Sequence, residues 1–371
     1  MKFGILTFHS QLNYGGVLQC WALQKALEKM GHEVVVIDRW WNEGNRRLLG
    51  NFFGASLLRR LVFLGKALYH GDGELGALVR RWRTIRFIRK RLHLTSFGFF
   101  DWRDAPEDLG VDAVVVGSDQ VWRESPWDDP APYLLEFRDD IRKFSYAASF
   151  GMSAIPMGSQ DRYRRALVKF SAISCREREG VEICRGLGLR AAHVVDPTLL
   201  LAAGEYEVND SLEKRRLVCY FLAQDPIPVL QELECFAQRN RCDVLLLAAE
   251  SQRIRRSFLK HVRFAVAAGP QEFLRYFSQA TWVLTDSYHG LMFSAQFNRN
   301  IRVLRPSDDV RRGMFARIEE FVSVAVSGLC IVESVGAALK SFESGVKTNF
   351  NKKKIEALRA DSLDWIKANL R

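Results

Sequence analysis

A histidine that follows an apolar segment is the residue of this chain best suited to move a proton. Residues 285–290 read Thr-Asp-Ser-Tyr-His-Gly and lie between an apolar run and a helix-like pattern. First-turn amides and the helix dipole attract anions, and the dipole favours the neutral imidazole that a base requires. We therefore predict that His289 is a catalytic acid/base exposed to ligand, with Ser287 and Gly290 binding substrate. The alternative is a structural helix start, in which Ser287 caps the helix and Gly290 permits close packing.

The amino-terminal segment repeats this order of apolar run, polar loop and helix pattern. Residues 2–8 are mostly apolar, and Asn13, Tyr14, Gly15 and Gly16 open the following helix. Small residues at such a turn form a cradle for an anion or a sugar. The string is neither a dinucleotide-binding nor a Walker sequence, so nothing local favours a nucleotide. We predict that Asn13, Tyr14 and Gly15 bind substrate, and an ordinary tight turn is the alternative.

A third apolar run ends in polar side chains. Residues 113–116 are apolar and are followed by Gly117, Ser118, Asp119 and Gln120. Because a parallel sheet brings the carboxyl ends of its strands to one edge, we expect these polar groups at such an edge. We predict that Ser118, Asp119 and Gln120 bind substrate, the last two through sugar hydroxyls. Asp119 as a helix cap is the alternative.

Five strings, in this order along nearly the whole chain, resemble the polysaccharide pyruvyl transferase family. They are N-Y-G-G-V-L-Q at 13–19, V-G-S-D-Q-V-W at 116–122, S-C-R-E-R-E-G at 174–180, V-D-P-T-L-L-L at 195–201 and T-D-S-Y-H-G-L-M-F-S at 285–294. The resemblance implies an α/β protein with a GT-B-like fold, in which two Rossmann-like, doubly wound domains face a cleft. It also implies a transferase that moves pyruvate from phosphoenolpyruvate onto a pair of sugar hydroxyls as a ketal, in the biosynthesis of an exopolysaccharide or another cell-surface glycan.

The donor phosphoenolpyruvate carries a carboxylate and a phosphate, so its binding requires cations. The resemblance favours Arg176, in the third string, as a catalytic cation that binds the donor. An ion pair with Glu177 or Glu179 is the alternative. The resemblance also implies a basic residue after the histidine string, and we choose Arg312 there. The arginines of that stretch are Arg302, Arg305, Arg311, Arg312 and Arg317.

His9, at the end of the first apolar run, is a weaker second candidate for the acid/base. We expect no metal, because histidines, cysteines and carboxylates show no spacing typical of metal ligands. We also expect no cofactor, because phosphoenolpyruvate is itself a substrate.

The succession of apolar and helical patterns indicates two α/β domains in the 371 residues. We assign residues 1–201 to an amino-terminal domain, with a basic amphipathic helical insertion at about 55–95. Residues 202–214 are polar and form the linker, and 215–350 form the carboxy-terminal domain. A last helix at 351–371 is expected to cross back to the first domain, as the resemblance suggests.

A net charge of +11 is concentrated in the basic insertion, where arginines alternate with apolar and aromatic residues. Two surface helices that show arginine to water would explain this pattern. Basic amphipathic helices also bind anionic lipid headgroups, which would suit a polyprenyl-linked saccharide acceptor. No nucleic-acid-binding signature accompanies the charge, so we expect no nucleic acid partner. With no secretory signal or transmembrane run, we expect a cytoplasmic protein, peripheral at the inner face of the membrane.

Two other functions fit the same patterns. A GT-B glycosyltransferase would use a nucleotide-sugar donor and need a carboxylate for the ribose late in the second domain, for which Glu319 or Glu320 could serve. A non-catalytic component of a glycan assembly complex would have no need of a histidine at a helix start.

Overall fold

The chain is described here from a computed structural model, which covers residues 1–11, 13–40, 72–124, 129–208, 214–248, 259–306 and 309–371. The described residues form two compact units. The first unit takes those within Met1–Gly54, Ile88–Leu201 and Ile355–Arg371, and the second takes those within Ala55–Phe87 and Ala202–Lys354. The part of the predicted basic insertion that precedes residue 72 lies outside the described residues.

The first unit is built on a parallel sheet of five strands in the order β3-β2-β1-β4-β5. These strands are β1 (Lys2–Leu6), β2 (Glu33–Arg39), β3 (Leu94–Phe99), β4 (Ala113–Val116) and β5 (Arg142–Ser145). All four residues of β4 are buried, as expected for an apolar strand that is covered on both faces. A short parallel pair, β6 (Ser174–Cys175) and β7 (Ala192–His193), follows in the chain.

Helices follow β1, β2, β5 and β6, and such helices cover the faces of a parallel sheet in a doubly wound unit. They are α1 (Tyr14–Lys29), α2 (Asp72–Arg91), α3 (Gln160–Leu167) and α4 (Arg178–Gly186). The core between the sheet and its covering segments includes Leu6, Val116, Trp122, Phe150 and Tyr163, all at most 1% exposed.

The second unit repeats this plan with six parallel strands in the order β10-β9-β8-β11-β12-β14. They are β8 (Arg216–Phe221), β9 (Asp243–Ala248), β10 (Val262–Phe264), β11 (Trp282–Thr285), β12 (Asn300–Leu304) and β14 (Ile331–Val332). A small antiparallel pair consists of β13 (Val326–Ser327) and β15 (Asn349–Phe350). The helices here are α5 (Leu230–Asn240), α6 (Pro270–Ser278), α7 (Tyr288–Gln296), α8 (Asp309–Ala325) and α9 (Val335–Glu343).

The final helix, α10 (Lys352–Asn369), belongs to the first unit from Ile355 onward. Its Ser362 Oγ accepts a hydrogen bond from the backbone N–H of Val195 at 3.0 Å. This contact ties the end of the chain to the residue that precedes Asp196, within the first unit.

Two boundaries differ from those drawn on the sequence. The described residues of α2 up to Phe87 belong to the second unit, where Arg83 Nη1 donates to the carbonyl of Ala267 at 3.0 Å. The described part of the linker is also packed, since Tyr206 is buried against the rings of Phe293 and Phe297 at 5.5 and 6.0 Å. The sequence did not predict the contacts of Arg83 and Tyr206, because each contact joins residues that lie far apart in the chain.

In each large sheet the strand order reverses at one point, between β1 and β4 in the first unit and between β8 and β11 in the second. Loops that leave neighbouring strands in opposite directions open a crevice at such a point, and open α/β sheets bind their ligands there. The loops after β1, β4 and β11 are those that the sequence analysis selected.

Within the described ranges, no helix is both long enough and apolar enough to cross a membrane.

Candidate active site

The loop between β11 and α7 is shaped by side chains that satisfy its own backbone. Ser287 is the N-cap of α7, and its Oγ accepts the N–H of Gly290 at 3.4 Å. Thr285 Oγ1 accepts the N–H of Ser287 at 3.0 Å and donates to the carbonyl of Tyr220 on β8. These contacts satisfy amides that a helix start leaves without intrahelical partners.

Gly290 is required by the contact between α7 and β11. A Cβ at this position would lie 2.6 Å from Thr285 Oγ1, which is closer than side chains approach each other. The structure therefore assigns Ser287 and Gly290 the capping and packing roles that the sequence analysis gave as the alternative. Substrate binding by either residue stays a prediction.

His289 is the second residue of α7, at the N-terminal end of the helix as predicted. The expected exposure of the side chain is wrong, because His289 is only 7% exposed. Every residue of α7 is buried, including the polar Ser294 and Gln296, so no face of this helix is exposed to solvent. The ring of Tyr288 lies edge-on to the imidazole, with ring centroids 5.5 Å apart.

Asp286 joins the β11 loop to the loop that follows β8. Its Oδ1 accepts the N–H of Leu222, and its Oδ2 accepts those of Ala223 and Gln224, each at 2.7 Å. Three charge-assisted bonds to one carboxylate hold the two loops together at the crevice of the second sheet. Asp286, which directly precedes Ser287, thus fixes the position from which α7 starts.

Arginines that follow the histidine string lie in different environments. Arg302 is fully buried, and its guanidinium donates to Ser341, Thr348 and three backbone or amide oxygens. Arg305 pairs with Glu319 and with Glu333. The side chains of Arg311 and Arg312 lie outside the described residues, so Arg312 stays a prediction.

Arg317 is the residue of this group that sequence reasoning passed over. Its Cζ lies 5.2 Å from the centroid of the Tyr288 ring, which is the distance of a cation–π contact. Arg317 is therefore next to the residue that precedes His289. Because Arg317 lies 28 residues after His289 in the sequence, no local pattern predicted that the two would be close.

In the first unit, the predicted cradle after β1 is a capped helix start. Asn13 is the N-cap of α1, and its Oδ1 accepts the N–H of Gly15 at 2.9 Å. A Cβ on Gly16 would lie 2.5 Å from the carbonyl oxygen of Phe8, so only glycine fits there. Tyr14 is buried. These contacts match the tight turn given as the alternative, and substrate binding by Asn13, Tyr14 and Gly15 stays a prediction.

Gln19 links the loops after β1 and β4 across the crevice of the first sheet. Its Nε2 donates to Thr7 Oγ1 at 2.8 Å, and its Oε1 accepts the N–H of Ser118 at 3.1 Å. Thr7 Oγ1 in turn donates to the carbonyl of Ser118 at 2.8 Å. Gln19 is the last residue of the first of the five strings, and its place in that string is the feature by which sequence reasoning could have selected it as a site residue.

Arg176 lies at the centre of a buried cluster of carboxylates. Its side chain is 0% exposed, with Nε 3.1 Å from Glu177 Oε1 and Nη1 3.1 Å from Asp196 Oδ2. Nη2 is 3.6 Å from Asp119 Oδ1. This is the ion-pair alternative, with Asp196 as a partner that sequence reasoning missed. The Asp196 carboxylate also accepts the Ser118 hydroxyl at 3.4 Å, so three of the five strings meet here.

Asp119 and Gln120 belong to the same cluster. Asp119 has a φ of 75°, which is rare for a residue other than glycine, and its Oδ1 accepts the N–H of Gln120 at 2.9 Å. A backbone conformation of this kind persists only where the surrounding structure holds it, and such strain is common where ligands bind. Binding of sugar hydroxyls by Asp119 and Gln120 stays a prediction.

His9, the second histidine candidate, is buried in a structural pair. Its Nε2 lies 3.0 Å from Asp38 Oδ1, and Trp40 Nε1 donates to Asp38 Oδ2 at 3.1 Å. With 0% exposure His9 joins the ends of β1 and β2. In the part of the chain that the structure describes, no group of three or more histidines, cysteines or carboxylates could hold a metal ion.

Comparisons with known proteins identify the family and the fold. A family model described as polysaccharide pyruvyl transferase matches residues 13–308. None of the curated proteins matches the chain. The solved structure of UDP-GlcNAc 2-epimerase from Neisseria meningitidis, bound to UDP-GlcNAc, is similar with a TM-score of 0.53 and 9% identity over 100% of this chain and 99% of that chain. UDP-GlcNAc 2-epimerase from Methanocaldococcus jannaschii is similar with a TM-score of 0.51 and 13% identity over 95% of this chain and 94% of that chain. At such identities the likeness shows the fold alone, and it confirms the predicted GT-B-like pair of Rossmann-like domains.

Proposed function

This chain belongs to the polysaccharide pyruvyl transferase family, and we propose on that premise that it transfers pyruvate from phosphoenolpyruvate onto two hydroxyls of a sugar. The observation that carries the proposal is the position of His289 at the start of α7, directly after a loop that Asp286 anchors to the residue following β8. A histidine held at a helix N-terminus, at the point where the strand order reverses, suits proton transfer to an anionic substrate.

The proposed reaction has four changes at the donor. A proton is added to C3 of phosphoenolpyruvate, so the methylene becomes a methyl group and C2 becomes an oxocarbenium-like centre. One sugar hydroxyl attacks C2 and loses its proton. The bond between C2 and the phosphate oxygen breaks, and the electron pair leaves with phosphate. The second hydroxyl then attacks C2 and loses its proton, which closes the ketal.

His289 is the residue that we propose to move these protons. In this role the imidazolium donates to C3, and the neutral imidazole then accepts a hydroxyl proton. The burial of His289 excludes bulk water from the ring, and burial strengthens its interaction with a nearby charge. Asp286 acts on the same step indirectly because it holds the loop from which α7 begins.

The loop after β4 is proposed to bind the acceptor. Asp119 and Gln120 offer a carboxylate and an amide, which are the usual partners of sugar hydroxyls. Direct binding by the Ser118 hydroxyl, which the sequence predicted, does not fit the structure, because Ser118 is 0% exposed and its hydroxyl donates to the carbonyl of Ala147 at 2.9 Å. Arg176 is engaged by three carboxylates, so its charge is compensated within the cluster. We propose that Arg176 orders this loop, and donor binding by Arg176 is the competing role to be tested.

A second proposal concerns the partner of α2. From residue 75 onward the exposed positions of this helix are Arg86, Arg89 and Lys90, while Ile85 and Ile88 are buried. A face whose exposed residues all carry positive charge suits an anionic membrane surface, where a polyprenyl-linked acceptor would be found.

The proposed reaction can be tested with the purified chain, phosphoenolpyruvate and a panel of aryl and lipid-linked glycosides. We expect phosphate release together with a product whose mass contains an added pyruvate ketal. A parallel set with nucleotide sugars tests the glycosyltransferase alternative. Glycosyl transfer without pyruvyl transfer would overturn the proposal, and binding of glycans without turnover of either donor would favour the non-catalytic alternative.

A further inference from the structure

We propose that Gln19 is a positioning residue for the sugar acceptor, an inference that rests on the proposed function. Gln19 lies on α1 and is 0% exposed, so it acts through other residues. Its side chain holds the loop after β4, which carries Asp119 and Gln120, the two residues proposed to bind sugar hydroxyls. Gln19 would thus set the place of the hydroxyl-binding groups without contacting the sugar.

The side-chain amide of Gln19 makes three hydrogen bonds that fix its orientation. Its Oε1 accepts the N–H of Ser118 at 3.1 Å, and its Nε2 donates to the Thr7 hydroxyl at 2.8 Å and to the Gly16 carbonyl at 3.0 Å. An amide oxygen only accepts hydrogen bonds, and an amide nitrogen only donates them. Because Ser118 offers an N–H and Gly16 offers a carbonyl, reversing the amide would break both of those bonds.

Ser118 is held through each of its own hydrogen-bonding groups. Gln19 binds its N–H, the Thr7 hydroxyl donates to its carbonyl at 2.8 Å, and its hydroxyl donates to the carbonyl of Ala147 at 2.9 Å. Ser118 and Thr7 are at most 1% exposed. Hydrogen bonds that share partners inside a protein strengthen one another, so this network restrains Ser118 more firmly than separate bonds would.

Asp119 follows Ser118 directly, and its side chain is 15% exposed, so the loop reaches solvent there. Its φ of 75° is a conformation that persists only where the surrounding structure holds it. Release of Ser118 would let this backbone relax and would move the carboxylate of Asp119 and the amide of Gln120 together. A displacement of about 1 Å at groups that position a substrate can lower turnover by about 100-fold.

Gln24 provides a matched control on the same helix. It is also 0% exposed, and its amide donates to the carbonyl of Arg91 at 3.1 Å and accepts the N–H of His93 at 2.9 Å. These partners precede β3 and so lie at the amino-terminal edge of the sheet, opposite the loop after β4. Gln19→Met and Gln24→Met each leave one buried backbone N–H without its bond, so both should lower the melting temperature.

The two variants should differ in their kinetics. The acceptor is the aryl glycoside that the wild type converts most efficiently, and its kcat and KM are measured together with the dissociation constant of phosphoenolpyruvate. For Gln19→Met we expect kcat/KM for the acceptor to fall by about 10- to 100-fold, with a wild-type donor constant. For Gln24→Met we expect wild-type values of both. Thr7→Val, which removes the hydroxyl, should show the same selective loss, and Thr7→Ser, which keeps it, should not.

A wild-type kcat/KM in folded Gln19→Met overturns the assignment, and so do equal losses in Gln19→Met and Gln24→Met. A raised donor constant with an unchanged acceptor KM overturns it as well. Should Gln19→Met fail to fold, the Thr7 variants decide: a loss confined to Thr7→Val supports the assignment, and equal values in Thr7→Val and Thr7→Ser overturn it. Pyruvyl transfer by the wild type leaves the proposed function intact in all these cases, whereas its absence in the wild type would overturn that function.

Discussion

Arg176 and Asp196 face each other inside the first unit, with Nη1 and Oδ2 3.1 Å apart and both side chains 0% exposed. The pair joins two strings of the sequence that lie 20 residues apart. Because Asp196 also binds Ser118 and Thr198, it is a centre of the loop arrangement rather than a surface ion pair.

Asp196→Asn should destabilise the protein strongly. The substitution replaces a charge-assisted bond to Arg176 with a neutral one, and the amide NH2 of asparagine cannot accept the hydrogen bonds that a carboxylate oxygen accepts. We expect a loss of about 1.5 to 3 kcal/mol, although Glu177 and Asp119 still compensate the charge of Arg176. The free energy of unfolding is measured by urea denaturation. Asp364→Asn is the control, because Asp364 forms an exposed pair with Lys367, and such pairs contribute at most about 1 kcal/mol. Equal small losses in the two variants would show that the Arg176 cluster contributes little to stability.

His289→Gln should abolish most of the turnover in a folded protein. The loss of a positioned acid/base typically lowers kcat by about 10²- to 10⁴-fold, and glutamine is close enough in size to keep α7 packed. The measurements are kcat with saturating phosphoenolpyruvate and the melting temperature. His93→Gln serves as the control, since His93 lies on the surface beside Glu28. A variant at His289 that retains wild-type kcat contradicts the assignment of the acid/base.

Glu234 should make stability dependent on pH in the acid range. Burial alone raises the pKa of this carboxyl, but hydrogen bonds from the His261 ring and from the amides of His261, Lys260 and Val262 outweigh it and lower the pKa to about 2. The folded-state pKa is thus below the ordinary value of 4.5. The stabilisation is therefore fully present above the ordinary value and is lost as the pH falls through the range down to about 2.

Glu234→Gln tests this dependence. It should remove on the order of 2 kcal/mol near neutral pH and progressively less in acid. Unfolding by urea is followed from neutral pH into the acid range, with Glu232→Gln, at an exposed position of the same helix, as the control. A difference between wild type and Glu234→Gln that does not shrink in acid would mean that another property of the side chain is responsible.

The basic face of α2 should bind anionic vesicles. Replacing Arg86, Arg89 and Lys90 together by glutamine removes three charges, each contributing about 1 kcal/mol near such a surface. The control replaces the exposed Lys352, Lys353 and Lys354 by glutamine, which gives the same change in net charge. Co-sedimentation is compared with neutral and anionic vesicles at low salt and at the ionic strength where the Debye length is about 8 Å.

Selective loss of anionic-vesicle binding in the α2 variant supports the proposal. Equal binding of the wild type to neutral and anionic vesicles, or equal losses of binding in the two triple variants, would contradict the proposal and show that the α2 charges form an ordinary solvated face.

Local features of this protein were determined by the sequence itself. The strand, loop and helix around residues 285–290, the position of His289 at a helix start and the strands that precede Asn13 and Ser118 follow from patterns spanning fewer than about 20 residues. The family and the GT-B-like fold follow from the order of five strings, because that order preserves the succession of strands and helices in two doubly wound sheets.

Tertiary structure alone decided what those residues contact. Strand order brings the loop after β8 to Asp286 and brings Asp196 to Arg176, across separations that no local pattern encodes. Packing of α8 places Arg317 on Tyr288 rather than leaving it among five equivalent arginines. It also buries His289, which was expected to be exposed to ligand, because packing encloses every residue of the helix that carries it.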